Sequence, residues 1–518
     1  MVHSPPVTAR SDPAPERTPS ATPTGLRGTF GLAGSVGLVA ALFATYWDDS
    51  WHTDRGRDDF AIGPHLLLYG GVLVALGSIA AWAVDARRRN GSWRLSRTAE
   101  RPLGLAAAGA AATLVSAPVD NAWHIAFGRD AVLWSPPHLL GVAGMLTLTV
   151  GMLSGVRRST GRAARTARLL TAAGVIAALQ IPVLEYDSDV PQFAAVWYLP
   201  VAVAGLLLAA VVLEDLTVSR WSLTAAAAAY VVLRLGVVGF LAAGGFSTTL
   251  VAPALVPVAL YEVLRGRAQW VRAAALVGSA PLAWWTAMAL QEGAGTEVPL
   301  ATAAVVTAAG LVLVAGAGPV TRTAMSGRGA QTLVAVAAAA AAAAVWAAPA
   351  WAHDPGQGPV VEQVTISVDR RSGPAEVTVE ADSPCGTLAP GRTVARRAGV
   401  SVTGTLGTGI PVASGCKYQG VIQGPGHGQW FVYAEFGRSA ERAEVWLAAP
   451  DGEAVTGQRW LYTPPEPAGS GLRTVAGAAM LAAVVALVYL TVSEARRIAE
   501  RDPGHPAAMR VTAHGAQP

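Results

Sequence analysis

The residues best suited to chemistry come in two sets. Asp48, His52 and His65 fall in DDSWHTDRGRDDFAIGPH (48–65), and Asp120, His124 and His138 fall in DNAWHIAFGRDAVLWSPPH (120–138). Each set has an acid, then Trp-His (Trp51, Trp123), then Gly-Arg-Asp, then Pro-His-Leu-Leu. The copies are offset by 72 residues at the acid (48 to 120) and by 73 at the last histidine (65 to 138). An acid and a histidine four residues apart share one face of a helix. A second helix folded back antiparallel would bring the later histidine to the same point. Two imidazoles and one carboxylate are a competent donor set for a transition metal. The plainer alternative makes these groups helix caps, with Trp51 and Trp123 in an interfacial aromatic belt. Duplication argues for metal: the chain has nine histidines, and four of them fill equivalent places here. Polar groups near the membrane core are also costly and usually purposeful. Arg57–Asp58 and Arg129–Asp130 match between the copies as well. A carboxylate that orients a ligand histidine, with the arginine holding the loop, is one role. Surface ion pairs, or Asp58 or Asp130 as a ligand, are the others.

The elements that must position these residues are membrane helices. The chain has 518 residues, 52% apolar and 14% charged, a membrane composition rather than a soluble one. About twelve apolar runs are long enough to cross a bilayer core of about 30 Å: roughly 28–47, 61–84, 102–120, 132–155, 167–184, 192–213, 221–244, 247–264, 271–290, 299–320, 330–350 and 471–493. The net charge of +4 sits in short loops, which does not suggest a nucleic-acid partner. Arg87, Arg88 and Arg89 follow the second run, Arg157, Arg158 and Arg162 the fourth, Arg265 and Arg267 the eighth, and Arg496 and Arg497 the last. By the positive-inside rule these loops are cytoplasmic. Both repeat loops are then outside, as is 353–466, in the cell membrane, and the N-terminus is inside.

The organisation expected is a disordered Pro-, Ser- and Thr-rich segment (1–26), a four-helix metal unit (27–156), a seven-helix unit (157–352), an extracytoplasmic β-domain (353–466), an anchor helix (467–495) and a cytoplasmic tail (496–518). The β-domain is read from period-two runs at 361–369, 375–382, 399–406, 429–436, 443–450 and 458–464, punctuated by Gly, Pro and Asp. That pattern predicts an antiparallel β-sandwich, cupredoxin-like or immunoglobulin-like. The two cysteines, Cys385 and Cys416, lie in it, and an outside location predicts a structural disulfide. Among polar residues in the later runs, Arg234 and Glu262 are expected to pair with each other. Glu185, Asp187 and Asp189 are expected in a solvated loop, where they could attract cations.

With D-x-x-W-H, then R-D, then a Pro-containing approach to a second histidine, the two copies resemble the C subunit of the copper-containing membrane monooxygenases, the particulate methane and ammonia monooxygenases. In that family one site reads Asp-x3-His-x12-His and its neighbour Asn-x3-His-x13-His. Asp48, His52 and His65 have the first spacing. Asp120, His124 and His138 have the second, with Asp in place of the family's Asn. The resemblance covers the first four runs and implies copper, with zinc and iron as the other metals this donor set serves. The soluble part resembles the family's cupredoxin B subunit more weakly. Ala350-Trp351-Ala352 before His353 matches a signal-peptidase pattern. A cut after Ala352 would free an amine that could chelate copper together with the His353 imidazole; otherwise His353 is a linker residue. His427 is the only other histidine of this domain, and the family's His-x-His pair has no counterpart here.

Two functions follow. The first is a copper-dependent monooxygenase that hydroxylates a small apolar molecule or ammonia with O2, using an external quinol-type electron donor. The second is copper storage, delivery or transport, with the soluble domain as receiver. Membrane lipids are partners in either case, and the resemblance also implies partner subunits or a homo-oligomer.

Overall fold

A computed structural model describes residues 26–55, 61–90, 100–127, 133–191, 193–217, 219–291, 359–398, 400–438, 441–464 and 470–500. The runs at 299–320 and 330–350, the Ala352 cleavage pattern and His353 lie outside these residues. So do Arg57, Asp58, Arg129 and Asp130, and most of 1–26 and 496–518. The helices are α1 (Gly28–Arg55), α2 (Gly63–Asn90), α3 (Arg101–Phe127), α4 (Pro136–Val156), α5 (Arg162–Gln180), α6 (Leu184–Asp187), α7 (Tyr198–Leu216), α8 (Ser222–Ala243), α9 (Leu255–Val263), α10 (Gln269–Leu290) and, after the β-domain, α11 (Ser470–Glu500). Among the described residues, nine helices are long and apolar enough to cross a membrane, so the chain is a multi-pass membrane protein.

Two helical hairpins, α1–α2 and α3–α4, carry the repeat. Glycine lets each close up, because small residues allow backbones to approach. Gly37 faces Gly71 in the first hairpin and Gly109 faces Gly144 in the second. A Cβ on Gly37 would stand 2.5 Å from the Gly71 carbonyl oxygen, and one on Gly144 2.6 Å from the Thr113 nitrogen. These pairs keep the repeat's own offsets, 37 to 109 (72) and 71 to 144 (73). Helix α4 is the centre of the bundle, continuously buried from Ala143 to Val156. The last helix, α11, lies beside it. Thr147 and Thr491 hydroxyls meet at 2.8 Å, and Arg101 pairs with Glu494 at 2.8 Å. The anchor is therefore part of the bundle.

The run at 247–264 is not a membrane helix. Residues 246–254 carry no helix, and α9 has nine residues, about 14 Å of rise. Extended backbone at membrane depth is tolerated only where protein satisfies it, and here protein does. Leu250 N donates to the Asp187 carbonyl (2.8 Å), and Arg234 Nη2 donates to the Leu250 carbonyl (2.6 Å) and to Thr249 Oγ1 (2.9 Å). Val251 N donates to Gln291 Oε1 (2.9 Å). Arg234 therefore does not pair with Glu262. It lies 3.6 Å from Asp187 and over the Tyr46 ring. Glu262 instead caps α8, accepting from Leu223 N, Thr224 N and the Thr224 hydroxyl. Glu185 and Asp187 are buried rather than solvated. Glu185 accepts from Leu133 N (2.9 Å), and Asp187 accepts from the Tyr198 hydroxyl (2.6 Å).

The β-domain comprises β1 (Val360–Asp369), β2 (Ala375–Ala381), β3 (Ala389–Arg397), β4 (Val400–Leu406), β5 (Ile410–Val412), β6 (Gly415–Ile422), β7 (Trp430–Arg438), β8 (Glu441–Ala449) and β9 (Ala454–Tyr462). The order is β2-β1-β9-β8-β7-β3-β4-β6-β5, and β2 pairs again with β6, from Ala375↔Ile422 to Ala381↔Cys416. That last pairing closes eight antiparallel strands into a barrel, with β5 appended to β6. The expected sandwich is corrected to a barrel; both folds share the period-two pattern, and closure decides between them. Cys385 and Cys416 form the expected disulfide. Intact-mass measurement after alkylation should find no free thiol. Replacing both cysteines by serine should cost about 3–4 kcal/mol for a loop of this length, read as a lower barrel unfolding midpoint.

The barrel docks on the end of the bundle that carries the repeat. Arg397 donates to the Asp189 carbonyl (2.6 Å) and to its carboxylate (2.5 Å), Gln429 N donates to the same carboxylate (2.9 Å), and Ala398 N donates to the Pro191 carbonyl (2.9 Å). Val190 is buried among Val394, Phe431, Tyr433, Trp446 and Tyr462. Asp189 is thus a docking residue, not a solvated one.

Candidate metal centre

Each triad is assembled from three positions. The acid and first histidine lie one turn apart near the end of α1 or α3, and the second histidine lies in the first turn of α2 or α4. In the second copy that first turn is set locally. Ser135 caps α4, its hydroxyl accepting from His138 N, and Pro136 and Pro137 open the helix.

The geometry repeats closely. His52 Nε2 stands 3.6 Å and His65 Nε2 3.2 Å from Asp48 Oδ1. His124 Nε2 stands 3.5 Å from Asp120 Oδ1, and His138 Nε2 3.2 Å from Asp120 Oδ2. The histidine ring centroids are 6.3 Å apart in the first triad and 6.1 Å in the second, tilted by 53° and 58°. In each triad one donor atom per residue lies within 4.8 Å of the other two. Donors bound tetrahedrally at 2.0–2.1 Å from one ion stand about 3.4 Å apart, so these separations suit a shared cation.

The chemistry of the donors suits one as well. Oδ1 of Asp48 and Oδ1 of Asp120 are buried and accept no hydrogen bond. In each triad both imidazole Nε2 atoms stand 3.2–3.6 Å from the carboxylate, as ligands converging on one point do. With neutral imidazoles each triad carries one negative charge. The triads are also neighbours: Asp48 lies within electrostatic reach of His138, and Asp120 within reach of His65. His52 and His124 are buried against the bundle, whereas His138 keeps 32% of its side chain exposed and His65 15%.

All six expected ligands are therefore brought together, three and three. His427 is not: its side chain is 98% exposed and its Nδ1 meets Asp451 at 2.7 Å. The sequence reading missed the crossing glycines Gly37, Gly71, Gly109 and Gly144, which hold each later histidine against its acid. Their signal was present, since they repeat at the same two offsets as the ligands. Compared with described protein families, curated proteins and solved structures, the chain matches none.

Proposed function

We propose that this chain is a copper-binding protein of the cell membrane whose two triads serve the O2-dependent hydroxylation of a small apolar molecule or ammonia. The observation that carries this reading is the doubled triad, two sets of two imidazoles and a carboxylate with matching internal distances at one end of a membrane bundle. Copper is favoured by the resemblance of the ligand spacing and by charge. A singly charged ion would leave each site neutral, the least costly state where the bilayer begins, and copper offers that state whereas zinc does not. Bound copper supplies one-electron chemistry toward O2. The chain's own part is to hold and orient: Asp48 and Asp120 supply the negative charge, buried His52 and His124 fix the inner side, and the partly exposed His65 and His138 leave the approach on theirs. An external quinol-type donor would supply electrons.

The arginine-rich loops lie at the opposite end of the bundle from the triads, which supports a cytoplasmic N-terminus and an extracytoplasmic barrel. Copper storage or delivery without oxygen chemistry is the second reading. It is favoured by the barrel's seat on the triad-bearing end, where a receiver would stand. The test is to load the protein with copper in bilayers and measure metal stoichiometry beside O2-dependent product formation from alkanes, alkenes and ammonia. Two copper ions per chain with turnover is the expected result. Two copper ions without turnover on any substrate would leave only storage or delivery, and stoichiometric iron or zinc in place of copper would overturn the metal assignment.

A further inference from the structure

The triads match in ligands but not in what surrounds them. The outer turn of α1 is held from outside its own hairpin. Ser247 donates to the Asp54 carboxylate through its backbone nitrogen (2.6 Å) and its hydroxyl (2.6 Å), and Ser50 donates to the Ser247 carbonyl (3.0 Å). Ser50 and Asp54 flank His52 two residues on either side. Phe246 packs against Trp51, with ring centroids 5.8 Å apart, and Arg55 lies over it at 5.3 Å. Arg459 of the barrel donates to the Asp54 carbonyl, satisfying a helix-end oxygen.

The side-chain bonds made by Ser50 and Asp54 cannot form at the second copy. At the repeat's offset of 72, Ala122 stands where Ser50 stands and Ala126 where Asp54 stands. Neither has a side chain able to donate or accept. The surroundings differ in the same sense: Thr53 is 2% exposed, and its counterpart Ile125 is 70% exposed. Helix α11 approaches the second copy at Gly477, beside Trp123 and Pro136.

We propose that the segment Phe246–Ser247 and the barrel residue Arg459 clamp the α1 turn bearing His52, so that the first triad is the retentive metal site and the second the exchangeable one. This rests on the metal reading above. Ser247, Asp54 and Arg459 are positioning residues. They touch no ligand atom directly but fix the helix turn that aims His52, as groups behind metal ligands commonly do at a cost of about 10–100-fold in affinity when lost. Among the described residues the clamp joins the barrel to the first site, so a movement of the barrel acts first on that metal.

The experiment uses the full chain in bilayers with copper alone as the probe and a chelator of known affinity as competitor. Wild type should lose its copper in two steps, and His124→Ala, which keeps only the first site, should show only the slower, tighter step. In that background Ser247→Ala and Arg459→Ala should each weaken copper binding about 10-fold or more and alter the Cu(II) paramagnetic resonance spectrum, while Ser247→Thr, which keeps the hydroxyl, should restore both. In the His52→Ala background, which keeps only the second site, the same substitutions should change neither affinity nor spectrum. Single-step loss of both ions from wild type, or equal weakening of both sites by Ser247→Ala, would overturn the clamp while leaving the metal reading intact. A wild-type chain that binds no copper would overturn the metal reading itself, and the clamp with it.

Discussion

Alanine at His52 should remove one metal equivalent per chain, alanine at His124 should remove the other, and the double variant should bind none. The expectation follows from the count of donors. Each triad offers three, and removing an imidazole leaves one nitrogen and one carboxylate, too few to hold an ion against water and other chelators. Loss of a direct ligand should exceed the about 10–100-fold effect of losing a group behind one, so the site empties at any practical concentration. The two losses should be separable because the triads share no residue: His52 belongs to α1 and His124 to α3. Metal analysis of the purified variants, with the paramagnetic spectrum of the surviving site, provides the check. If neither single variant changes the metal content, the ligand assignment is wrong.

The second large effect concerns a residue with no side chain. Leucine at Gly109 should abolish the second site while sparing the first. Gly109 faces Leu148 and Gly144 so closely that even a Cβ collides with backbone. A leucine must therefore push α3 away from α4 rather than simply repack. Overpacking of this kind costs about 3 kcal/mol or more. The displacement also moves His138 away from Asp120, which lie 3.2 Å apart in the closed hairpin. Leucine at Gly71 should do the mirror experiment on the first site. Metal stoichiometry reads the outcome, and Gly109→Ala, which adds the smallest possible group, should give a partial loss. Two full equivalents in Gly109→Leu would show that the crossing does not set the site.

Much of this was legible because membrane helices announce themselves by length and apolarity. The two hairpins, their ligands and α5, α7, α8, α10 and α11 stand where apolar runs and repeat spacing put them. What escaped was decided by partners distant in sequence. Residues 246–254 are as apolar as a helix, and only Arg234, Asp187 and Gln291, contributed by other elements, make an extended path possible there. Gly244-Gly245 and Pro253 were the local hint of a break. Glu185, Asp187 and Asp189 looked solvated because carboxylates usually are; each instead meets a donor that the local sequence does not reveal. The barrel differs from a sandwich by the pairing of β2 with β6, and register between strands so far apart leaves no mark in either one.

The place of α11 bears on how the protein comes to be. The helix that covers the flank of α4 through Thr491 and Glu494 is the last of the described elements in the chain. During synthesis that side of the bundle must therefore wait against lipid until the barrel and α11 have been made. Loading of the second triad, which α4 helps to build, would be a late event in the birth of the molecule. Chains halted before residue 470 would reach the membrane with that side unfinished.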